Sequence, residues 1–189
     1  MWAIILGQGM GLKEAFESIL NFGRARKEPS APPPASMVFL LRAERFPKLE
    51  QLRQAAERAY EVNFSLDKNS RHCVYTQVFF TIMRVGPHTL SFMFYTKPYG
   101  ENSPLGQSWR LAGQREAWAE HTVFMAVDYA KGGIDFESRY ALLARLCREL
   151  YDANCLGIYL PRESAFVPDE KSVREMFDRV ISGRVVDVT

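Results

Sequence analysis

The stretch HTVFMAVDYAKGGIDFESRYALLARLCRELYDANCLGIYL, residues 121–160, decides the fold. Residues 121–129 read as an apolar strand, and Lys131, Gly132 and Gly133 turn the chain. From Asp135 onward Tyr140, Leu143, Ala144, Cys147, Leu150 and Tyr151 recur at helical spacing, with Arg139, Arg145, Arg148 and Glu149 on the other side. That period predicts an amphipathic helix, which Asn154 ends. CLGIYL, residues 155–160, is a short apolar run suited to a buried strand. A strand, a long helix and a strand predict a right-handed crossover between parallel strands.

Upstream, MVFLL at residues 37–41 reads as another buried strand. Leu49, Leu52, Ala55, Ala56, Ala59 and Tyr60 then share one helical face behind Pro47. After a polar loop at 63–71, residues 74–85 and 89–97 are β-branched and aromatic and flank Gly86-Pro87. They predict two long strands in an antiparallel hairpin, with Val74, Val78, Phe80 and Ile82 on one side. Residues 98–114 have no period and read as a long loop, and a short helix is expected over 115–120. Downstream, Pro168-Asp169 caps a helix carrying Val173, Met176, Phe177, Val180 and Ile181, and Gly183 follows its end. The expected architecture is α+β: a two-layer sandwich of a mixed, mostly antiparallel sheet with its helices on one face. It is ferredoxin-like, with an added strand and an added helix.

At its N-terminal end the chain reads as an appendage. Leu12, Ala15, Phe16, Ile19 and Leu20 make one helix face, placing a helical arm in residues 1–28. Pro29, Pro32, Pro33 and Pro34 mark residues 29–36 as a polyproline spacer, although they also contain a P-x-x-P match for an SH3-type module. The single α+β domain then spans 37–183, with a tail at 184–189.

All 189 residues together carry 47% hydrophobic and 24% charged side chains and a formal charge of +2. These are globular values, and a balance so close to neutral gives no electrostatic reason to expect nucleic acid or a membrane surface as partner. Trp2 to Leu6 is too short for a signal core or a membrane span. Cys73, Cys147 and Cys155 fit neither a disulfide framework nor a zinc site, so a reducing cytoplasm is the simplest compartment.

Chemistry-bearing patterns are sparse. His121, in WAEH, would need a second ligand or a carboxylate to act as metal ligand or base, and His72 and His88 are distant in sequence. Asp128 interrupts an apolar strand and must face water or meet a partner. Strand alternation puts it beside Phe124 and Ala126, away from His121, which argues against a dyad. Glu116 and Glu120 lie one helical turn apart without an accompanying histidine, the pattern of a solvated surface. Gly7, Gly9 and Gly11 precede a helix but lack the lysine and the spacing of a phosphate loop. Hairpin aromatics such as Phe79 and Tyr95 lack the interleaved basic residues of an RNA-stacking sheet and instead suggest a patch for another protein chain. No residue is assigned as catalytic, and no metal or other cofactor is expected.

MVFLL with its helix, the WAEHTVFMAVDY strand, the long helix and CLGIYLPRESAFVP together resemble the bacterial family designated domain of unknown function 4261. Members pair an opening apolar strand with a Trp and a His before a later strand, then a helix and a Gly-x-Tyr strand. The matching positions are Trp118, His121, Gly157 and Tyr159, and the resemblance covers roughly residues 37–182. It implies a fold and raises Trp118 and His121 as candidates, but the family has no established activity to transfer. The reading is therefore a non-catalytic interaction module. It would bind a protein partner, or a second copy of itself, through its sheet face, the 98–114 loop or the N-terminal arm. The alternative is a small-ligand domain or enzyme with a pocket near Trp109, Trp118 and His121, with Asp128 as a further candidate.

Overall fold

The computed structural model describes residues 34–100, 109, 111–182, 184, 186 and 188. The arm at 1–28, most of the spacer and residues 101–108 of the long loop lie outside the described residues. Within them the chain runs β1 (Ser36–Leu41), α1 (Leu49–Tyr60), β2 (His72–Gln77), β3 (Phe80–Val85), β4 (His88–Tyr95), α2 (Ala112–Glu120), β5 (Val123–Lys131), α3 (Phe136–Leu150), β6 (Cys155–Leu160), β7 (Ala165–Pro168) and α4 (Glu170–Ile181).

The seven strands form one sheet in the order β2-β3-β4-β5-β1-β6-β7, and each neighbouring pair is antiparallel. The mixed sheet of the sequence reading is thus corrected to a wholly antiparallel one. β1 lies between β5 and β6 and runs antiparallel to both, so those two strands are parallel to each other. The expected β-α-β crossover is present, with β1 filling the gap it spans.

β1 from Met37 to Leu41 and β5 from Val123 to Val127 are apolar because both faces of the sheet are covered where they run. Met37, Phe39 and Leu41, with Val123, Met125, Val127 and Tyr129, face a main core closed by α1, α3 and α4. Leu52, Ala55 and Ala56 from α1, Leu142, Leu143 and Leu146 from α3, and Val173 and Phe177 from α4 fill it. α3 starts at Asp135, whose side chain accepts from Ser138 N at 3.0 Å, and α4 at Asp169, which accepts from Ser172 N at 2.9 Å. Tyr60 ties α1 to α3 by donating its hydroxyl to Leu142 O at 3.0 Å. Together these make the α+β two-layer sandwich.

One helix departs from the expected arrangement. The buried residue of α2 is Trp118, and it packs on the opposite face with Val38, Leu40, Phe124, Ala126, Tyr159 and Phe166. Helices therefore flank both sides of the sheet, three on the main face and the short α2 on the other.

Residues 74–85 form two strands where the sequence predicts one. Gln77 pairs with Phe80, so Val78 and Phe79 are the two turn residues of a hairpin. Such turns usually carry Gly, Asn or Asp, and neither of these two residues takes a positive φ. The turn reverses the side-chain parity, so Val74 faces the main core with Met83 and Val85. The next turn follows the sequence prediction: Gly86, at φ 59°, supplies the backbone conformation ahead of Pro87. β7 is a further strand that the sequence reading lacked.

Candidate functional site

The second face of the sheet brings three of the four candidate residues together. Trp109 and Trp118 lie 5.3 Å apart between ring centroids, and Trp118 lies 5.4 Å from His121 and 5.5 Å from Tyr159. Phe166 stands 5.8 Å from Trp109 and 5.5 Å from Trp118. Tyr99 meets Phe124 at 5.0 Å and Tyr159 at 5.2 Å, and Tyr95 stacks on Phe124 at 4.2 Å. Edge-to-face and stacked rings at these distances make a packed aromatic layer, a second core rather than an open pocket. Gly157 belongs to the same design: a Cβ there would come within 2.5 Å of Val167 O and 2.6 Å of the Phe166 ring. The four positions that carry the family resemblance are thus all packing positions of this layer.

His121 holds the layer to the chain. It is the C-cap of α2 rather than a residue of β5, so strand alternation does not govern its direction. Tyr99 N donates to His121 Nε2 at 2.9 Å, and His121 Nδ1 pairs with Trp118 O. Because Nε2 accepts, the proton sits on Nδ1 and is donated to the carbonyl. Burial lowers the basicity of the ring and favours the neutral imidazole, an effect that the two backbone bonds partly offset. With both nitrogens engaged, His121 has no lone pair left for a metal or a substrate proton. Trp109 Nε1 is buried and has no partner among the described residues.

Asp128 stands apart from that layer at its edge. The register sets it opposite Ser36 on β1 and Ser91 on β4, three polar side chains in a row across adjacent strands. Alternation places it on the side of Ala126 and Phe124, as the sequence indicates. Its carboxylate is half-buried, accepts from the Ser36 hydroxyl, and is pushed by burial from 3.8 up to about 6, the Ser36 bond opposing part of the rise. Tyr95 and Tyr99 feel its charge: the Tyr95 hydroxyl is raised by burial and then by Asp128, and the Tyr99 hydroxyl by burial, then Tyr159 and Asp128, to about 12.

Other polar groups have structural duties. His88 Nδ1 bonds Tyr129 OH at 3.0 Å, in space that a Cβ at Gly132 would occupy. Burial pushes the thiols of Cys147 and Cys155 up, which keeps them protonated and unreactive. A shallow depression of about 410 Å³ on the outer side of α4 is lined by Glu170, Lys171, Arg174, Glu175 and Asp178, and ion pairs one turn apart occupy it. No group of three or more His, Cys, Asp or Glu that could hold a metal occurs among the described residues. Nor is any described helix long and apolar enough to cross a membrane.

The feature that sequence reading located only in part is the β2–β3 tip. Val78 is 83% exposed and Phe79 86%, the two most exposed large apolar side chains described. Tyr95, expected to share a patch with Phe79, instead lies against Phe124. β2 is an edge strand, and Ser65 covers the beginning of its outer edge through Ser65 N to His72 O and Val74 N to Ser65 O. Thr76 and Gln77, nearer the tip, are exposed.

Comparison with protein-family models, with curated proteins and with solved structures found no match to this chain.

Proposed function

We propose that this domain is a non-catalytic interaction module that docks another protein chain at the β2–β3 end of its sheet. The observation that carries the reading is the pair Val78 and Phe79 at the hairpin tip. Single exposed apolar residues are ordinary, but here two adjacent ones occupy a turn whose chemistry favours small polar residues. They violate turn preference and solvation together, with no compensating contact among the described residues, as functional positions do. An exposed aromatic side chain that a partner can bury, beside an exposed stretch of edge strand at Thr76 and Gln77, fits a protein partner.

The enzymatic alternative finds less support, because the histidine it needs is neutral with both nitrogens bonded. Three free, buried cysteines support the reading of a reducing, cytoplasmic setting. Relationship to the family of domain of unknown function 4261 is part of the same proposal, supported by Trp118, His121, Gly157 and Tyr159 serving one packing layer.

Photo-crosslinking tests the docking. A benzophenone side chain at position 79, in the full chain and in its own cells, should give one discrete protein adduct. An excess of wild-type domain should compete it away, and an excess of the Val78→Ser/Phe79→Ser domain should not. Adducts to lipid or to a second copy of the chain, or the same adduct from position 175 on α4, would refute the reading.

A further inference from the structure

We propose that the open half of the β2 edge takes up an extended segment of another protein as an added strand of the sheet. The proposal rests on docking at the β2–β3 tip and states what kind of chain docks there. The backbone N–H and C=O groups of successive strand residues point alternately to the two sides of the strand. Ser65 N donates to His72 O at 3.0 Å and Val74 N to Ser65 O at 2.9 Å, so His72 and Val74 point outward. By the same alternation Thr76 points outward too. Cys73, Tyr75 and Gln77 face β3, with which the register is unbroken from His72 to Gln77. Beyond Ser65 the chain turns away, Asp67 N donating to Ser65 Oγ at 2.9 Å. The carbonyl of Val74 and both backbone groups of Thr76 are left with no bond among the described residues, and Thr76 is exposed.

The opposite edge of the sheet is guarded. On β7 Gln114 of α2 donates to Phe166 O at 2.8 Å, and Pro168, two residues on, has no N–H to offer. Edges ordinarily carry such guards, or a lysine, against stray pairing. The stretch from Val74 to Gln77 has neither proline nor charge. Its ends are apolar: Leu66, 47% exposed, follows Ser65 at one, and Val78 and Phe79 stand at the other. These are three of the four exposed large apolar side chains described. Lys68 and Arg71, in the same loop as Leu66, are exposed and form no ion pair among the described residues, and Asp67 is the one acidic residue of 63–71. The segment that fits is about four to six residues of extended chain, roughly 13–20 Å, apolar toward the tip and acidic beyond Ser65. A second copy of this chain does not fit. Two β2 strands paired antiparallel about Thr76 would set Phe79 of one opposite Cys73 of the other, the place that Ser65 occupies. A free segment bends away there.

The test compares the crosslink from position 79 of the full chain in three backgrounds. Thr76→Pro removes the outward N–H and leaves the β2–β3 ladder whole, because that N–H takes no part in it. Adduct yield should fall about tenfold or more in Thr76→Pro and hold within about twofold in Thr76→Ser, which keeps the backbone donor. Lys68→Glu/Arg71→Glu should lower it about threefold or more through the acidic flank. A second readout needs no variant. In the free wild-type chain the Thr76 amide should exchange with deuterium as an open amide does, while those of Tyr75 and Gln77 are protected by β3. Adding the partner purified through the crosslink should slow the Thr76 amide about tenfold or more. A full yield in Thr76→Pro, an equal loss in Thr76→Ser, or an unprotected Thr76 amide in the complex would overturn strand addition and leave docking at the tip standing. An unchanged yield in Lys68→Glu/Arg71→Glu would overturn the acidic flank. No adduct in the wild-type background, or an adduct to a second copy, would overturn the docking and the strand addition together.

Discussion

Replacing Asp128 by Asn should make the protein more stable, by an amount that depends on pH. The carboxyl moves from 3.8 to about 6 on folding. Each unit is worth about 1.36 kcal/mol, so the ionised group costs the folded state about 3 kcal/mol at pH 8. The sign follows from proton binding. The folded state holds the proton more tightly than the unfolded chain, so the penalty is absent below about pH 3.8, grows through the interval up to 6, and is constant above it. Asparagine keeps an oxygen for the Ser36 hydroxyl and removes the charge. The variant should therefore gain about 3 kcal/mol at pH 8 and about 1 kcal/mol at pH 4.5. For a domain of this size, the pH 8 gain is about 6–12 °C in Tm. Urea unfolding at both pH values, with circular dichroism as the signal, measures the difference directly. A variant equal to or less stable than wild type at pH 8 would refute the unpaired-carboxylate reading.

Four further variants probe the second core and the tip. His121→Phe keeps a ring against Trp118 but leaves Tyr99 N–H without its acceptor, and should cost about 1–3 kcal/mol in urea unfolding. His121→Gln, which retains an acceptor, should cost less. Gly157→Ala forces a Cβ against Val167 O and the Phe166 ring, and should lower stability by about 2–3 kcal/mol with a change in Trp fluorescence. Val78→Ser/Phe79→Ser removes two exposed side chains, and its Tm should match wild type, corresponding to less than about 0.5 kcal/mol.

Much of the fold is legible where residues obey a period. The apolar runs of β1 and β5 signal burial on both faces, the long helix begins at Asp135 where its period starts, and the cap at Asp169 stands where the sequence places it. The side occupied by Asp128 follows from alternation alone. The β2–β3 turn is hidden because Val78 and Phe79 are strand-forming residues used in a turn. Its trace is a parity mismatch, since Val74 and Met83 share a face only if two residues turn between them. α2 is placed on the second face by one side chain, Trp118, too little for a periodic pattern. His121 reads as a strand residue, and only its position as a helix cap shows that it joins Trp118. The closeness of Asp128 to Tyr95 and Tyr99 depends on the pairing of β4 with β5, which no local pattern reveals.

The most direct measurement is the affinity of the crosslinked partner, once purified, for wild-type domain and for Phe79→Ser. Truncating an aromatic anchor at the centre of a protein interface costs about 2 kcal/mol or more. The Kd should therefore rise about thirtyfold or more while the Tm stays at its wild-type value. An unchanged Kd would mean that the exposed tip of the β2–β3 hairpin is not where this protein meets its partner.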